Sequence, residues 1–382
     1  MTLRVYTTDL TFYDGYMDKL IQEASTGFSH AILRLRACVP RLANMDAAVI
    51  AAAHLTIDDA RTVYACEHGF DDWEAFTAYV ASVDSGDIDD PFPAFIQAVE
   101  QGDTVVVDSL LDADPNLVQH VASTGKSSLH SIANVEMATI LIARGAPPAL
   151  ETPLSGGTAL IHALVWGNTE VADVLSGESL TPGNLRVAAG LGRLDLLEKM
   201  WDADGSLTPQ ARAGREYYRP NYGWFAWTPS DDEQEVLDEA LVYAATNGRI
   251  EAAQYLVDRG ADVNGFAYQT TALHRATWKG HAGMVEWLLD RGVSIDTRGW
   301  LGGHVQGGTA LHIAANSGHL ELARILVARG ANVTARDAMY EGAPDGWAQH
   351  HNHPEVRDLL RPLREARETR TNGDAIWPWS HR

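Results

Sequence analysis

The 382-residue sequence contains only two cysteines, Cys38 and Cys66. Two cysteines are too few for a disulfide framework and show no metal-site spacing, so both are interpreted as buried thiols. No run of about eighteen apolar residues is present, so the sequence gives no signal for a membrane-spanning helix. Residues 1–10 lack the apolar core of a secretory signal, and we therefore expect a cytoplasmic protein.

Positive charge is also scarce, because 29 Lys and Arg stand against 51 Asp and Glu, for a formal net charge of −22. A chain this negative repels phosphate backbones and anionic lipid, so we expect neither nucleic acid nor a membrane surface as a partner. The nearest approach to a basic cluster is Arg34, Arg36 and Arg41. These lie in a helical region and are interpreted as solvated helix surface. Hydrophobic residues make up 46% of the chain, enough for a large core.

Two short phrases recur along the chain. The first, of the type Gly-Gly-Thr-Ala-Leu-His, stands at 125–130, 156–161, 270–274 and 307–312. The second, which contains Arg-Gly, stands at 256–264, 288–295 and 326–333. Together they resemble the ankyrin repeat, whose period is about 33 residues. The resemblance covers roughly residues 92–362 and implies an all-α solenoid of about seven to eight helix-turn-helix repeats with finger loops.

Each part of the two phrases has a physical role in such a scaffold. The Thr or Ser caps the first helix through its side-chain oxygen, and the Leu and Ala residues pack between neighbouring helices. Gly260, Gly292 and Gly330 stand where the end of the second helix requires a left-handed residue. These positions are assigned to the fold and not to a function.

Residues 1–88 carry no recognisable repeat and are predicted to be an N-terminal helical cap. Thr56 with Asp59 signals a helix start, Gly69 a stop, and Asp71 or Asp72 a second start. This hairpin resembles the helical segment that precedes the repeats in many bacterial ankyrin proteins. Repeat arrays need atypical ends that cover the last apolar face. The predicted domains are therefore the cap at 1–88, the repeat array at 92–365 and a C-terminal tail at 366–382.

The repeat spacing is interrupted twice, by an enlarged finger at 298–306 and by an insertion at about 203–236. The insertion is rich in aromatic residues, unlike a solvated linker. We expect it to dock onto the repeats. It either fills a gap between two mismatched repeats or forms the wall of a ligand cleft.

The resemblance implies that ligands contact the first helices and the fingers, which line a concave face. The predicted ligand-binding residues on this face and in the insertion are His162, Trp166, Tyr217, Tyr218, Tyr222, Trp224, Trp227, Tyr243, Asn247, Phe266, Tyr268, Arg275, Trp278, Lys279, Trp300, His304 and Tyr340. Arg275 and Trp278 are expected to project away from the stacking positions.

Three first-helix residues, His162, Tyr243 and Arg275, occupy a position that is usually apolar in the family. A buried polar group without a partner costs about 1–3 kcal/mol. These side chains are therefore either paired locally, Arg275 with a carboxylate such as Asp262, or they are polar anchors in a cleft.

Motifs for cofactors and metals are weak. Thr124-Gly-Lys-Ser127 lacks the upstream glycine of a phosphate-binding loop, and Gly190-Leu-Gly192 lacks the third glycine of a dinucleotide fold. His350, His351 and His353 have no supporting carboxylate or cysteine at metal-ligand spacing. We therefore expect no cofactor and no metal.

Two functional hypotheses follow. The favoured one is a monomeric, non-catalytic binding module that holds a peptide segment or small organic ligand in an aromatic-lined concave cleft between the repeats and the insertion. The alternative is an enzyme that acts on a small hydrophobic or aromatic substrate in the same cleft. Its acid, base or oxyanion groups would be His162, Tyr243, Arg275 and His304.

Overall fold

The computed structural model describes residues 4–27, 29–122, 126–132, 134–150, 157–177, 183–215, 230–300 and 306–373. The chain divides into two compact units. Unit 1 comprises residues 1–163 and 170–181, and unit 2 comprises residues 164–169 and 182–382. This division does not coincide with the predicted cap boundary at residues 88–92, which stays a prediction.

Unit 1 is helical in the part that the structure describes. Its helices, with the ends of the last two counted in unit 2, are α1 (Thr11–Ser25), α2 (Ser29–Cys38), α3 (Ala47–Ala51), α4 (Ile57–Glu67), α5 (Trp73–Asp84), α6 (Phe92–Gln101), α7 (Thr104–Ala113), α8 (Val135–Ala143), α9 (Ala159–Val165) and α10 (Thr169–Leu175). Short 3-10 turns cover Pro40–Leu42, Pro115–Gln119 and Ser128–His130. The first five helices share one core, in which Tyr13, Tyr64 and Phe76 are buried.

The predicted hairpin at residues 55–76 is confirmed. Thr56 and Asp59 form a capping box at the start of α4, since each accepts a hydrogen bond from the other's backbone N–H. Gly69, with a φ of 80°, ends the turn. The carboxylate of Asp72 then caps α5 by accepting from the backbone N–H of Ala75.

The interpretation of the cysteines as thiols is wrong. Cys38, at the end of α2, and Cys66, in the last turn of α4, form a disulfide with a Cα–Cα distance of 5.8 Å. The number of cysteines did not predict this disulfide, because cysteine counting identifies only frameworks of several disulfides. A single bridge between two helices depends on how those helices pack.

Unit 2 contains two layers of helices. Its elements are α11 (Leu185–Leu191), α12 (Leu194–Leu197), α13 (Pro209–Arg212), α14 (Glu233–Thr246), α15 (Ile250–Asp258), α16 (Ala272–Trp278), α17 (Ala282–Asp290), β1 (Gly299–Trp300), β2 (Gln306–Gly308), α18 (Ala310–Asn316), α19 (Leu320–Ala328), α20 (Pro344–His350) and α21 (Pro354–Gly373), with 3-10 turns at Glu198–Met200 and Ala267–Gln269. The first-helix layer runs through α11, α14, α16, α18 and α20, each packed on the next. The second-helix layer runs through α12, α15, α17, α19 and α21. One continuous core lies between the layers.

The predicted roles of the repeated residues are confirmed in unit 2, whereas Ser127 of unit 1 makes no capping hydrogen bond. Thr271 and Thr309 cap α16 and α18. Gly260, Gly292 and Gly330 adopt positive φ just after α15, α17 and α19. The strands β1 and β2 form an antiparallel pair at the base of the enlarged finger.

Histidine side chains connect successive repeats of unit 2. His274 Nε2 donates to the carbonyl of Gly308 at 3.3 Å, and His312 Nε2 donates to that of Gly342 at 3.1 Å. A second set, which sequence reasoning missed, directly follows the residue of positive φ that links the two helices of a repeat, which is Gly280, Gly318 or Asn352. His281, His319 and His353 donate to the carbonyls of Thr246, Trp278 and Asn316 at 3.0, 3.1 and 3.0 Å.

Among the helices that the structure describes, none has both the length and the apolar character needed to cross a bilayer.

Candidate functional site

Two tryptophans meet on the first-helix face of unit 2. Trp278 is the last residue of α16, and Trp166 lies in the 164–169 segment. Their ring centroids are 5.9 Å apart, with the planes inclined by 61°. Trp166 is 49% exposed. Trp166 therefore presents apolar surface to solvent, while Trp278 also packs against the core of unit 2.

Two cations contact the same indole ring. The Cζ of Arg275 lies 4.6 Å from the Trp278 centroid, and the Nζ of Lys279 lies 5.0 Å from it. Both distances are in the range of cation–π attraction. Trp278 and Lys279 follow Arg275 by three and four residues. Side chains at i, i+3 and i+4 lie on one helix face, which brings the three groups together.

The Arg275 side chain donates hydrogen bonds to polar atoms of neighbouring elements. Its side chain is only 3% exposed. Its Nε donates to Thr246 Oγ1 at 3.1 Å, and its Nη2 donates to the carbonyl oxygen of Val165. Burial lowers the pKa of Arg275 to about 10. The expectation that Arg275 projects away from the stacking positions is therefore wrong, since the interior between repeats contains its guanidinium.

The expected pairing of Arg275 with Asp262 is also wrong. The Asp262 carboxylate instead accepts from the backbone N–H of Asn264 at 2.8 Å, within its own finger turn. Among the described residues, no carboxylate pairs with Arg275 or with Lys279. Burial and the neighbouring charge of Arg275 both lower the pKa of Lys279. Two positive charges thus stand together without a negative counterpart in this part of the structure.

Asn247 fastens the 164–169 segment to α14. Its Nδ2 donates to the carbonyls of Leu164 and Tyr243, each at 2.9 Å, and its Oδ1 accepts from Thr169 Oγ1 at 3.2 Å. The side chain is buried. Asn247 therefore supports the position of Trp166, rather than facing solvent as a contact residue.

The predicted contact residues Tyr243 and Tyr268 are also in the interior, each 1% exposed. They surround Arg186, which sequence reasoning missed. The Cζ of Arg186 lies 5.3 Å from the Tyr243 ring centroid, and its Nη1 donates to the Tyr268 hydroxyl oxygen at 3.1 Å. Arg186 lies six residues before Gly192, just as His274 lies six residues before Gly280. The sequence therefore contained a signal for Arg186, namely its position within the repeat.

Within the insertion, residues 215 and 230 meet at one ion-pair cluster. Arg215 donates from Nε to Glu239 Oε2 at 2.9 Å and from Nη2 to Glu235 Oε1 at 2.6 Å. Its Nη1 donates to the carbonyl oxygen of Ser230. Residues 215 and 230 are therefore held close together. The predicted cleft-wall residues between them, Tyr217, Tyr218, Tyr222, Trp224 and Trp227, lie outside the described residues.

The other predicted contact residues lie on fingers, in unit 1 or outside the described residues. Phe266 and Tyr340 are exposed on two separate fingers. His162 belongs to unit 1, where its ring lies 6.0 Å from that of His130. His304 lies outside the described residues, and Trp300 is described only through the backbone of β1. The predicted acid–base set therefore stays a prediction, and we propose no reaction.

A cavity of about 480 Å³ lies among the fingers of unit 2. It is lined by Arg298, Arg336, Asp337, Ala338 and Glu341. None of these residues belongs to the predicted cleft. Asp337 is engaged in organising its own turn, since it accepts from the Trp347 indole N–H at 2.9 Å.

The order of layers, caps and turns in unit 2 corresponds to a known repeat family. Residues 228–299 match the family described as ankyrin repeats in three copies, and residues 306–338 match the single ankyrin repeat. Residues 228–338 are ankyrin repeats. The predicted count of seven to eight repeats reaches beyond the matched residues and stays a prediction.

One curated protein shares a short similar stretch with the chain. Over 64 residues the sequence is 41% identical to L-asparaginase of Dirofilaria immitis, which covers 16% of this chain and 11% of that protein. The chain thus spans about a tenth of the length of this relative. Similarity over so small a share gives no argument for its activity.

Proposed function

We propose that this protein is a binding module that holds a segment of a partner protein against the first-helix face of unit 2. Ankyrin repeats imply a protein-interaction module, and residues 228–338 carry them. The observation that supports the location of the site is the half-exposed Trp166 beside Trp278 and Lys279. The proposal retains the predicted monomer.

The chemistry of this face fits a protein partner. Tryptophan is enriched among residues that dominate binding energy, because it buries a large apolar area with little loss of rotamer freedom. The 164–169 segment is fixed by two hydrogen bonds with Asn247, one at Leu164 and one at Thr169. Trp166 is therefore already positioned before a partner binds, which lowers the entropic cost of association.

Selection of peptides tests this proposal. A random peptide library displayed on phage is selected on the full-length protein, and the dissociation constants of the enriched peptides are then measured by fluorescence polarisation. Trp166→Ala is expected to weaken binding about tenfold or more, as removal of a central aromatic contact does. Trp287→Ala removes an indole from α17 in the second-helix layer and serves as the matched control.

Equal affinity of the wild type and Trp166→Ala for every enriched peptide would contradict the proposed site. A loss that is the same for Trp166→Ala and Trp287→Ala would also contradict it. Circular dichroism melting of each variant separates loss of binding from loss of folding.

A further inference from the structure

The positive charge beside Trp278 is not balanced by the described part of the protein. Arg275 and Lys279 both lie over one indole ring, yet no described carboxylate pairs with either. A buried charge without a counter-ion is costly, because its lost hydration is not replaced by an ionic partner. The imbalance stands out in a chain of net charge −22, which has abundant carboxylates elsewhere.

We propose that Lys279, with Arg275 beneath it and Trp166 and Trp278 beside it, anchors a carboxylate side chain of an acidic peptide segment. This inference rests on the proposed function and specifies the chemistry of the partner.

The Lys279 side chain is pre-positioned for this role. A Cβ atom built at Gly167 would lie 2.8 Å from Lys279 Cε, so the lysine stem passes directly over the backbone of the 164–169 segment. The stem therefore passes Gly167, and its ammonium group lies over the Trp278 ring, 5.0 Å from the ring centroid. A carboxylate that meets the ammonium group would place its flanking residues against the two indoles.

The geometry favours a carboxylate over a phosphate group. A lysine can bind phosphate, but phosphate sites commonly add arginine forks or several converging backbone N–H groups to it. Here two of the guanidinium nitrogens of Arg275 are engaged by Thr246 and Val165, and the group is almost fully buried. It contributes positive potential from beneath, while Lys279 supplies the direct contact. A polyanionic nucleic acid would in addition be repelled by the net negative charge of the chain.

The test uses the full-length protein and the peptides selected on it. Each enriched peptide is synthesised as selected and with every Asp and Glu replaced by Asn and Gln. We expect the selected peptides to contain acidic residues and the neutral versions to bind about tenfold or more weakly, as for loss of a charge-assisted hydrogen bond. Lys279→Gln is expected to cause the same loss for the acidic peptide and none for the neutral one.

Lys199→Gln is the matched control, since it removes an exposed lysine from another part of unit 2. Lys279→Arg, which retains the charge, is expected to restore much of the preference for acidic peptides. A single-stranded oligothymidylate is added as a competitor and is expected to displace nothing.

Each contrary outcome has its own meaning. Selected peptides that need Trp166 but bind equally in acidic and neutral form would overturn this inference and leave the proposed function intact. Unchanged acid preference in Lys279→Gln, or tighter binding of the oligothymidylate, would also overturn it. Peptides that bind without any need for Trp166 would instead contradict the proposed function.

Discussion

At the scale of single residues, buried histidines connect the repeats in their neutral form. His274 shows the arrangement most completely, because Nδ1 lies 2.7 Å from the Thr271 hydroxyl and Nε2 donates to the Gly308 carbonyl. In the neutral ring, Nδ1 accepts from the Thr271 hydroxyl while Nε2 donates, so both ring nitrogens are satisfied without a positive charge. Burial lowers the pKa of His274 to about 4, against the opposing effect of the hydrogen bond to the Gly308 carbonyl.

This lowered pKa predicts a loss of stability in mild acid. The unfolded chain takes up the proton near pH 6.5, while the folded chain resists it down to about pH 4. The contribution of His274 is therefore fully present above about pH 6.5 and declines as the pH falls toward 4. By pH 5 the free energy of unfolding should drop by about 2 kcal/mol on account of this residue.

Urea unfolding at pH 7 and pH 5 measures the effect. His274→Gln should reduce the difference between the two pH values, whereas His350→Gln, which removes an exposed histidine, should leave it unchanged. The same pH dependence in both variants would show that protonation of His274 does not cause the loss of stability in acid.

Two glycines with similar backbone angles differ in how closely a neighbouring side chain approaches them. Gly292 and Gly318 have similar positive φ values, 76° and 72°. An added Cβ meets nothing within 4 Å at Gly292, but at Gly318 it would lie 2.6 Å from His353 Nδ1. Gly292→Ala should therefore cost about 1 kcal/mol for the left-handed backbone alone.

Gly318→Ala should cost at least about 1 kcal/mol more, because it also displaces the His353 ring from the Asn316 carbonyl. Chemical denaturation of the two variants gives the comparison. Equal losses would mean that His353 moves aside without penalty.

At the scale of elements, α14 is extended at its start and this extension holds the ends of the insertion. Glu235 and Glu239 both face Arg215, which also donates to the Ser230 carbonyl. The Glu239 and Arg215 side chains are 1% and 3% exposed. Burial raises the pKa of Glu239, and Arg215 opposes that rise. The pair is therefore sensitive to loss of either partner.

Glu239→Gln should lower the free energy of unfolding by about 3 kcal/mol, since it leaves a buried guanidinium with a weaker partner. Glu233→Gln on the same helix breaks the more exposed pair with Arg212 and should cost no more than about 1 kcal/mol. Similar losses in the two variants would contradict the role assigned to Arg215 and Glu239.

At the scale of the whole molecule, the division into two units predicts separate responses to reduction. The Cys38–Cys66 bridge closes a loop with a sequence separation of 28 within unit 1. By loop-closure entropy, its removal should destabilise that unit by about 3–4 kcal/mol. The core of unit 2 contains none of the residues that pack around the bridge.

Hydrogen exchange followed by mass spectrometry can measure this for the Cys38→Ser/Cys66→Ser double variant. Peptides from α4 should lose protection, while peptides from α16 should keep theirs. An equal loss in both helices would mean that the two units unfold together.

The sequence by itself determined the parts of this protein that depend on nearby residues. The sequence correctly predicted the Thr caps, the glycine turns and the Thr56–Asp59 capping box, because each depends on residues close to one helix end. It also predicted the register of the ankyrin repeats, because the repeated phrases recur at a regular spacing. The same register marked Trp166, Trp278 and Lys279 as candidates for binding.

Only the tertiary structure decided which of the polar residues face inward. Arg275 reaches Val165, more than a hundred positions earlier in the chain, and the two cysteines meet through the packing of α2 on α4. Helical periodicity gives the face on which a side chain lies, but not the atoms that the adjacent repeat brings to it. The burial of Arg275 and Tyr243 and the contact between Trp166 and Trp278 therefore arose from packing between elements, which local patterns do not encode.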